Sequence, residues 1–355
     1  MKQVNSPATS PATSPATEDV FLEETKISTK GHKTRRYIFN VLKASLTIGI
    51  LVFLYQRGLL DFSRVHRVFT HIPTVVLTFF ILGSSIFASM FRWRLLLIGQ
   101  NLLLPIKETF KLTMIGNFFN TAIPGAVSGD LVKGYYVVKN QPDGRGKIKA
   151  FTTLLMDRVL GLSGLICISF FTMLFNSSDM LSNPALKPLC GLIGLLWLGV
   201  LCFFVFVLFK SKTIYKIKNA LIHLPFGSLL ARFFEAVKGY ESSRHLIIKG
   251  ILISITVHCS LILAFIVVSK TLGGFETVPF TKFFFLIPLG LLITAIPIAP
   301  GGLGTGHAAF LALFQLVGSK SGADLFTVFV SFQIFFSLIG GLFYMHYKYH
   351  PVIKK

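Results

Sequence analysis

Apolar runs alternate with short polar and basic stretches along most of this chain. Runs of about 18 or more apolar residues with few charges read as membrane-spanning helices. Six stand out, at about 38–56, 73–91, 151–175, 188–209, 247–269 and 325–345. Two further apolar stretches, about 107–139 and 281–318, are interrupted in nearly the same letters. Thr121-Ala-Ile-Pro124-Gly125 runs on to Ser128-Gly129-Asp130, and Thr294-Ala-Ile-Pro297 runs on to Pro300-Gly301-Gly302-Leu303-Gly304. Proline lacks the amide a helix needs and glycine resists helical order, so both sites break a helix. In hydrocarbon an unpaired backbone group costs several kcal/mol, so such breaks persist only against protein or a watery cavity. Two matching breaks, one in each half, point to a transporter-like site near the membrane midplane.

Charge decides how the broken stretches lie. If each is a re-entrant hairpin, Lys and Arg concentrate on the cytoplasmic loops and both termini are cytoplasmic, as the positive-inside bias requires. If each crosses once, the same residues divide almost evenly between the two sides. Arm length agrees with the first arrangement. About 15 residues rise roughly 22 Å, short of a hydrocarbon core of about 30 Å. The expected fold is an all-α polytopic membrane protein with about six full spans and two re-entrant broken-helix hairpins, eight membrane elements in all. Each half, about 38–175 and 188–348, reads span, span, hairpin, span. An odd number of crossings turns one half upside down relative to the other, an inverted repeat whose hairpin tips meet near the midplane.

Composition supports the membrane reading. The chain is 53% hydrophobic with 37 Phe, and its mean hydropathy is +0.70. Cys167, Cys190, Cys202 and Cys259 fall inside expected spans without metal-ligand spacing and read as packing residues. The net charge of +21 suits span flanks and anionic lipid surfaces; nothing resembles a nucleic-acid module. Residues 1–37 differ. Ser6-Pro-Ala-Thr9 recurs at Ser10–Thr13 and Ser14–Thr17, ahead of Glu18, Asp19, Glu23 and Glu24. Such a tract cannot bury a core, so a disordered cytoplasmic tail is expected, with 38–348 as one integral-membrane domain. The basic segment 210–245 reads either as amphipathic helices in the cytoplasmic interface or as a plain linker. Residues 349–355 read as a short cytoplasmic tail.

Polar groups inside a bilayer are costly and tend to face a cavity or a partner. Around the first break these are Asn117, Asn120, Thr121, Ser128, Asp130 and Lys133. The helix after Gly129 offers free N–H groups and a dipole to an anion such as a lipid phosphate. Lys133 adds a charge one turn on; Asp130 would repel that phosphate, and either receives a cationic headgroup or pairs with Lys133 or Arg158. Ser128 and Asp130 also read as plain helix caps. Around the second break stand Pro300, Gly301, Gly302, Gly304, Thr305, Gly306 and His307. Thr305 is a candidate cap, and His307 either a polar cavity donor or a satisfied structural histidine. Asp157-Arg158 opens a span, to pair there or to contact a headgroup. Arg92-Trp93-Arg94 closes another and reads as an interfacial anchor. His258 and Gln333 are lone polar residues that either line a cavity or join two helices. No catalytic triad, carboxylate pair or metal-spaced cluster is visible, so neither catalytic residues nor a metal or cofactor is expected.

These residues resemble the transmembrane family of lysylphosphatidylglycerol synthases and flippases. The matching pieces are Arg92-Trp93-Arg94, Gly116-Asn117 through Asn120 to Pro124-Gly125, Gly129-Asp130, Lys133-Gly134-Tyr135, Asp157-Arg158 through Gly161-Leu162, and Ala299 to Gly304. Ser128 and Lys133 stand where the family often has Gly and Arg. His307 stands where many members carry an acid, which argues against a cationic headgroup. The resemblance implies a module that moves phospholipids, such as aminoacylated phosphatidylglycerol, between leaflets of the cell (inner) membrane. It also implies that aminoacyl transfer belongs to a separate soluble domain, which this sequence does not show. Expected partners are membrane phospholipids with an anionic headgroup, a separate lipid-modifying enzyme and a second copy of the chain. The alternatives are a membrane component of a phospholipid aminoacylation or glycolipid assembly enzyme, or a lipid-binding accessory protein.

Overall fold

The computed structural model describes Val52, Gln56 and residues 62–122, 128–139, 146–209, 227–296 and 302–347. The chain divides into two units, Met1–Leu46 and Thr47–Lys355. The first unit, the expected tail and most of the expected 38–56 span lie outside the described residues, as do Pro124, Gly125, Pro300 and Gly301.

Among the described residues the elements are helices without strands. In chain order they are α1 (Phe62–Thr70), α2 (Ile72–Gly99), α3 (Ile106–Ala122), α4 (Ser128–Lys139), α5 (Gly146–Phe175), α6 (Ser177–Ser182), α7 (Lys187–Leu208), α8 (Gly227–Lys238), α9 (Arg244–Leu272), α10 (Phe280–Thr294), α11 (Thr305–Gln315) and α12 (Gly322–Met345). Within these residues five helices are long and apolar enough to cross a membrane. They carry five of the six expected spans, and each begins ahead of the sequence estimate. The span expected at 73–91, for example, runs from Ile72 to Gly99 as α2. His71 caps α2, its Nδ1 accepting from the Thr74 amide at 3.4 Å, and Pro73 fits a first turn that needs no amide partner. A multi-pass membrane protein follows.

The two interrupted stretches are pairs of short helices folded back on themselves. In the first, α3 and α4 lie antiparallel, with Ser128 and Gly129 beside Phe119 and Asn120. In the second, α10 and α11 lie antiparallel, with Gly290 beside Phe310 and Phe283 beside Phe314. Pro288 inside α10 removes one more helical hydrogen bond.

Around these pairs, α2 packs along α9, α3 crosses α12, and α10 crosses α5. α4 rests on α5 and α11 on α12. Small residues allow the closest crossings, as in membrane interiors generally. A Cβ on Gly340 of α12 would sit 2.1 Å from the Met114 carbonyl oxygen of α3. α12 is an inner helix with half of its most apolar stretch buried, whereas α7 is peripheral and mostly exposed. α7 meets the bundle through Trp197, stacked 4.9 Å from Phe170 of α5.

Within the basic 210–245 segment, 227–238 is helical and leads through a short 3-10 turn, Gly239–Ser243, into α9. This described part is fastened to the bundle, and residues 210–226 lie outside the described residues. Lys238 donates to the carbonyls of Phe206, Val207 and Phe209 at the end of α7 and pairs with Glu241 at 2.5 Å. Tyr240 donates to the Leu96 carbonyl and Gln100 to the Ala236 carbonyl, tying the same turn to the end of α2.

Candidate functional site

The first hairpin closes through glycine. A Cβ on Gly129 would lie 1.9 Å from the Gly116 carbonyl oxygen, so only hydrogen fits between the arms. The Gly129 amide donates to Asn120 Oδ1 at 2.9 Å, and the Ser128 hydroxyl donates to the Phe119 carbonyl at 2.7 Å. Ser128 thus staples the two arms, beyond the capping role that its position suggests.

Behind this tip lies a cluster of charges. Asp130 pairs with Lys133 at 3.1 Å and with Arg158 of α5. The sequence offered Lys133 or Arg158 as alternatives, and Asp130 meets both. Asp157 and Arg158, adjacent in sequence, do not pair with each other. Asp157 accepts from Arg92 Nε at 2.7 Å, and Arg92 also donates to Ser254 of α9 at 3.1 Å. The reading of Arg92-Trp93 as an interfacial anchor is therefore corrected. Arg92 is 8% exposed and Trp93 1%, because α2 continues past them to Gly99 and carries them inside the bundle. The Lys133 ammonium lies 4.9 Å over the Trp93 ring, a cation–π contact. Asp157-Arg158 lies about three turns into α5, which begins at Gly146, rather than at the start of a span.

In front of the tip is a cavity of about 240 Å³. Its polar lining is Ser85 and Ser89 of α2, Asn117, Asn120 and Thr121 of α3, and Gln333 of α12. Val257 and Leu261 of α9 and Phe336 of α12 help close its apolar sides. These positions fall near the middle of α2, α9 and α12. The cavity therefore sits at mid-depth among helices long enough to span. Asn120 belongs to both regions, lining the cavity while it accepts from Gly129 beside Asp130.

The second hairpin is built differently. Gly302 and Gly304 hold positive φ, 73° and 77°, which other residues adopt only with strain. His307 Nδ1 accepts from the Gly304 amide at 3.3 Å, and its ring stands edge-on to Phe326 at 4.9 Å. His307, in the first turn of α11, thus reaches back to the amide of the capping residue Gly304, a structural contact. Thr305 donates to the Gly302 carbonyl at 3.3 Å and tightens the turn. A Cβ on Gly306 would meet the Phe326 ring at 2.2 Å. None of these residues lines the cavity.

Of the expected site, Asn117 and Asn120 reach the cavity, and Ser128, Gly129, Asp130, Lys133, Asp157 and Arg158 gather behind it. Gly302, Gly304, Thr305 and His307 form a separate, apolar-packed turn. Gln333 proves to be cavity-lining, whereas His258 joins two helices through the Gly161 carbonyl at 3.0 Å. Sequence reasoning passed over Ser85, Ser89 and Ser254. The signal for the first two was their spacing, since residues four apart share one helix face. Among the described residues no three His, Cys, Asp or Glu side chains converge to hold a metal.

Neither a curated protein nor a solved structure matches the chain. Residues 40–341 match the sequence model of the family described as "Lysylphosphatidylglycerol synthase TM region". That match covers most of the chain and every side chain of the site, so the chain belongs to this family.

Proposed function

We propose that this protein carries a polar lipid between the leaflets of the cell membrane, its headgroup passing through the mid-depth cavity while the acyl chains stay in the bilayer. The observation that carries the reading is the cavity itself. At the middle of three spanning helices the space leaves the Asn117 and Gln333 side-chain amides without a protein partner among the described residues, and in hydrocarbon such groups cost energy unless a ligand or water meets them. Membership of a family named for a lipid synthase's membrane region favours a lipid as that partner.

The proposal includes the two hairpins as re-entrant elements of opposite entry, in an inverted repeat. Matched packing supports it. α3 on α12 answers α10 on α5, α4 on α5 answers α11 on α12, and α2 on α5 answers α9 on α12. α2 and α9, the corresponding spans, lie along each other. The pairing departs from symmetry at one seam. α5 and α9 are pressed together, with Gly164 so near Ser254 that a Cβ would stand 2.9 Å from it. α2 and α12 touch through Phe79 and Phe336, stacked at 4.9 Å, and part around the cavity. One seam open and its counterpart shut is the arrangement expected of a carrier resting in one of two states.

The test is reconstitution of the full chain in liposomes carrying acyl-labelled lipids, read by quenching of the outer leaflet. Accelerated transbilayer movement, slowed by Asn117→Leu in protein that remains monodisperse, supports the reading. Movement no faster than in protein-free liposomes for every lipid tried rejects it. Cysteine labelling separately tests the topology. Residue 140 reacting from outside the cell would exclude a first hairpin that enters from the cytoplasm, with the termini on that side.

A further inference from the structure

The chemistry of the cavity lining specifies more than a polar lipid. We infer that the headgroup it receives is uncharged and rich in hydroxyls, as in a glycosyl diacylglycerol; the inference rests on the lipid-carrier reading above. The six polar residues lining the cavity, Ser85, Ser89, Asn117, Asn120, Thr121 and Gln333, are all neutral. Their hydrogen bonds decide what they offer. Ser85 donates to the Ile81 carbonyl at 3.0 Å, Ser89 to Ile86 at 3.3 Å and Thr121 to Asn117 at 3.1 Å. Each hydroxyl hydrogen is thus committed to its own helix, and the oxygen lone pairs are left to the cavity. The Asn117 and Gln333 side-chain amides have no protein partner among the described residues, and each presents both N–H donors and a carbonyl acceptor.

A ligand must therefore both donate and accept at several points. An ammonium only donates, and would leave the amide N–H groups unpaired at mid-depth. A phosphate only accepts; the amide N–H groups would meet it, but its charge would still lie against the hydroxyl lone pairs and amide oxygens. A sugar hydroxyl does both, and adjacent hydroxyls match the paired donor and acceptor of a carboxamide. Charge balance agrees. Bringing a net charge to the middle of a bilayer is costly unless an opposite charge is ready to meet it. The cations nearest the hairpin tip are engaged, Arg92 with Asp157 and Arg158 with Asp130. Lys133, also paired with Asp130, is 7% exposed and lies over Trp93 behind α3. The anionic headgroup expected from the sequence has no such partner in the cavity lining. Volume fits a headgroup rather than a whole lipid, since about 240 Å³ is below the range of ordinary small-molecule pockets.

The experiment compares three acyl-labelled lipids in liposomes holding the full chain: neutral monoglucosyl diacylglycerol, anionic phosphatidylglycerol and cationic lysylphosphatidylglycerol. The glucosyl lipid is expected to cross about tenfold faster than either charged lipid, a discrimination of about 1.4 kcal/mol. Gln333→Leu and Asn117→Leu should each slow it severalfold, and Gln333→Asn, which keeps the amide, should retain most of the rate. If either charged lipid crosses as fast as the glucosyl lipid, the headgroup class is wrong while the carrier reading stands. Leucine variants that are monodisperse and unslowed would remove the cavity from the path and overturn the inference. If no lipid moves, both readings fall.

Discussion

The two hairpins share a backbone plan and differ in what holds them. Both are short antiparallel helices around a Thr-Ala-Ile-Pro break with glycine on its far side. Counted back from the break, Arg92 in the first half stands where Phe265 stands in the second. Arg92 belongs to an ionic cluster with Asp157, beside the set formed by Asp130, Lys133 and Arg158. Phe265 instead stacks on Phe310 at 5.3 Å and Phe329 at 4.8 Å, and Phe310 packs on Phe326 at 4.9 Å. Ring stacks stabilise without a desolvation penalty, whereas buried ion pairs gain little over apolar residues of similar size. Stability alone would have made both hairpins aromatic. The charged one adjoins the polar cavity, and that is the half we assign to the work of transport.

The contrast can be broken at several points. The largest effect should come from Gly129→Ala. Its methyl would meet a backbone carbonyl at 1.9 Å that cannot move without opening the hairpin, so folded, monodisperse protein should be lost. Gly290→Ala in the second hairpin meets the Phe310 ring at 2.4 Å, which can shift, so folded protein should survive at reduced melting temperature. Equal damage from the two would erase the distinction. Next, Arg92→Ala should destabilise by about 3 kcal/mol, because it leaves the half-buried Asp157 without its cation. Arg92→Met with Asp157→Leu should recover most of that loss in thermal melts while lipid movement stays impaired. Recovery of both would make the cluster purely structural.

Phe310→Ala should cost about 3 kcal/mol through the void it leaves in the ring stack, with headgroup preference unchanged in the three-lipid assay. The smallest effect concerns Glu276, in the loop leading into α10. Its carboxylate is held below the usual range by its own backbone N–H and that of Gly274, with Arg64 adding to the effect. A depressed acid contributes stability above its unfolded pKa of about 4.3, and that contribution is lost as pH falls through the folded value. Melting temperatures of the parent and Glu276→Gln should therefore converge in acid and separate slightly above it. Separation that instead grows in acid would contradict the assignment.

Much of this was legible in the residues. Apolar run length identified the described spans because a helix must satisfy its own backbone in hydrocarbon, whatever its neighbours. The breaks at Pro124 and Pro297 marked the arms of both hairpins, and i, i+3 spacing alone put Lys133 within reach of Asp130. Other features were not legible. Arg92 looked like an anchor because its neighbours in sequence are interfacial in type. Only the continuation of α2 to Gly99 and the approach of α5 bring Asp157 to it. His258 and Gln333 were equivalent as lone polar residues in apolar helices. Which one met a carbonyl and which a cavity depended on the facing helix.

The sequence by itself determined the helices, their breaks, their membrane character and the family, since these follow from local backbone chemistry and residue order. Only the tertiary structure decided which charges pair, which hairpin is ionic in its surroundings and where the polar cavity opens. Those depend on contacts between residues far apart in the chain, and a single sequence carries no direct record of distance.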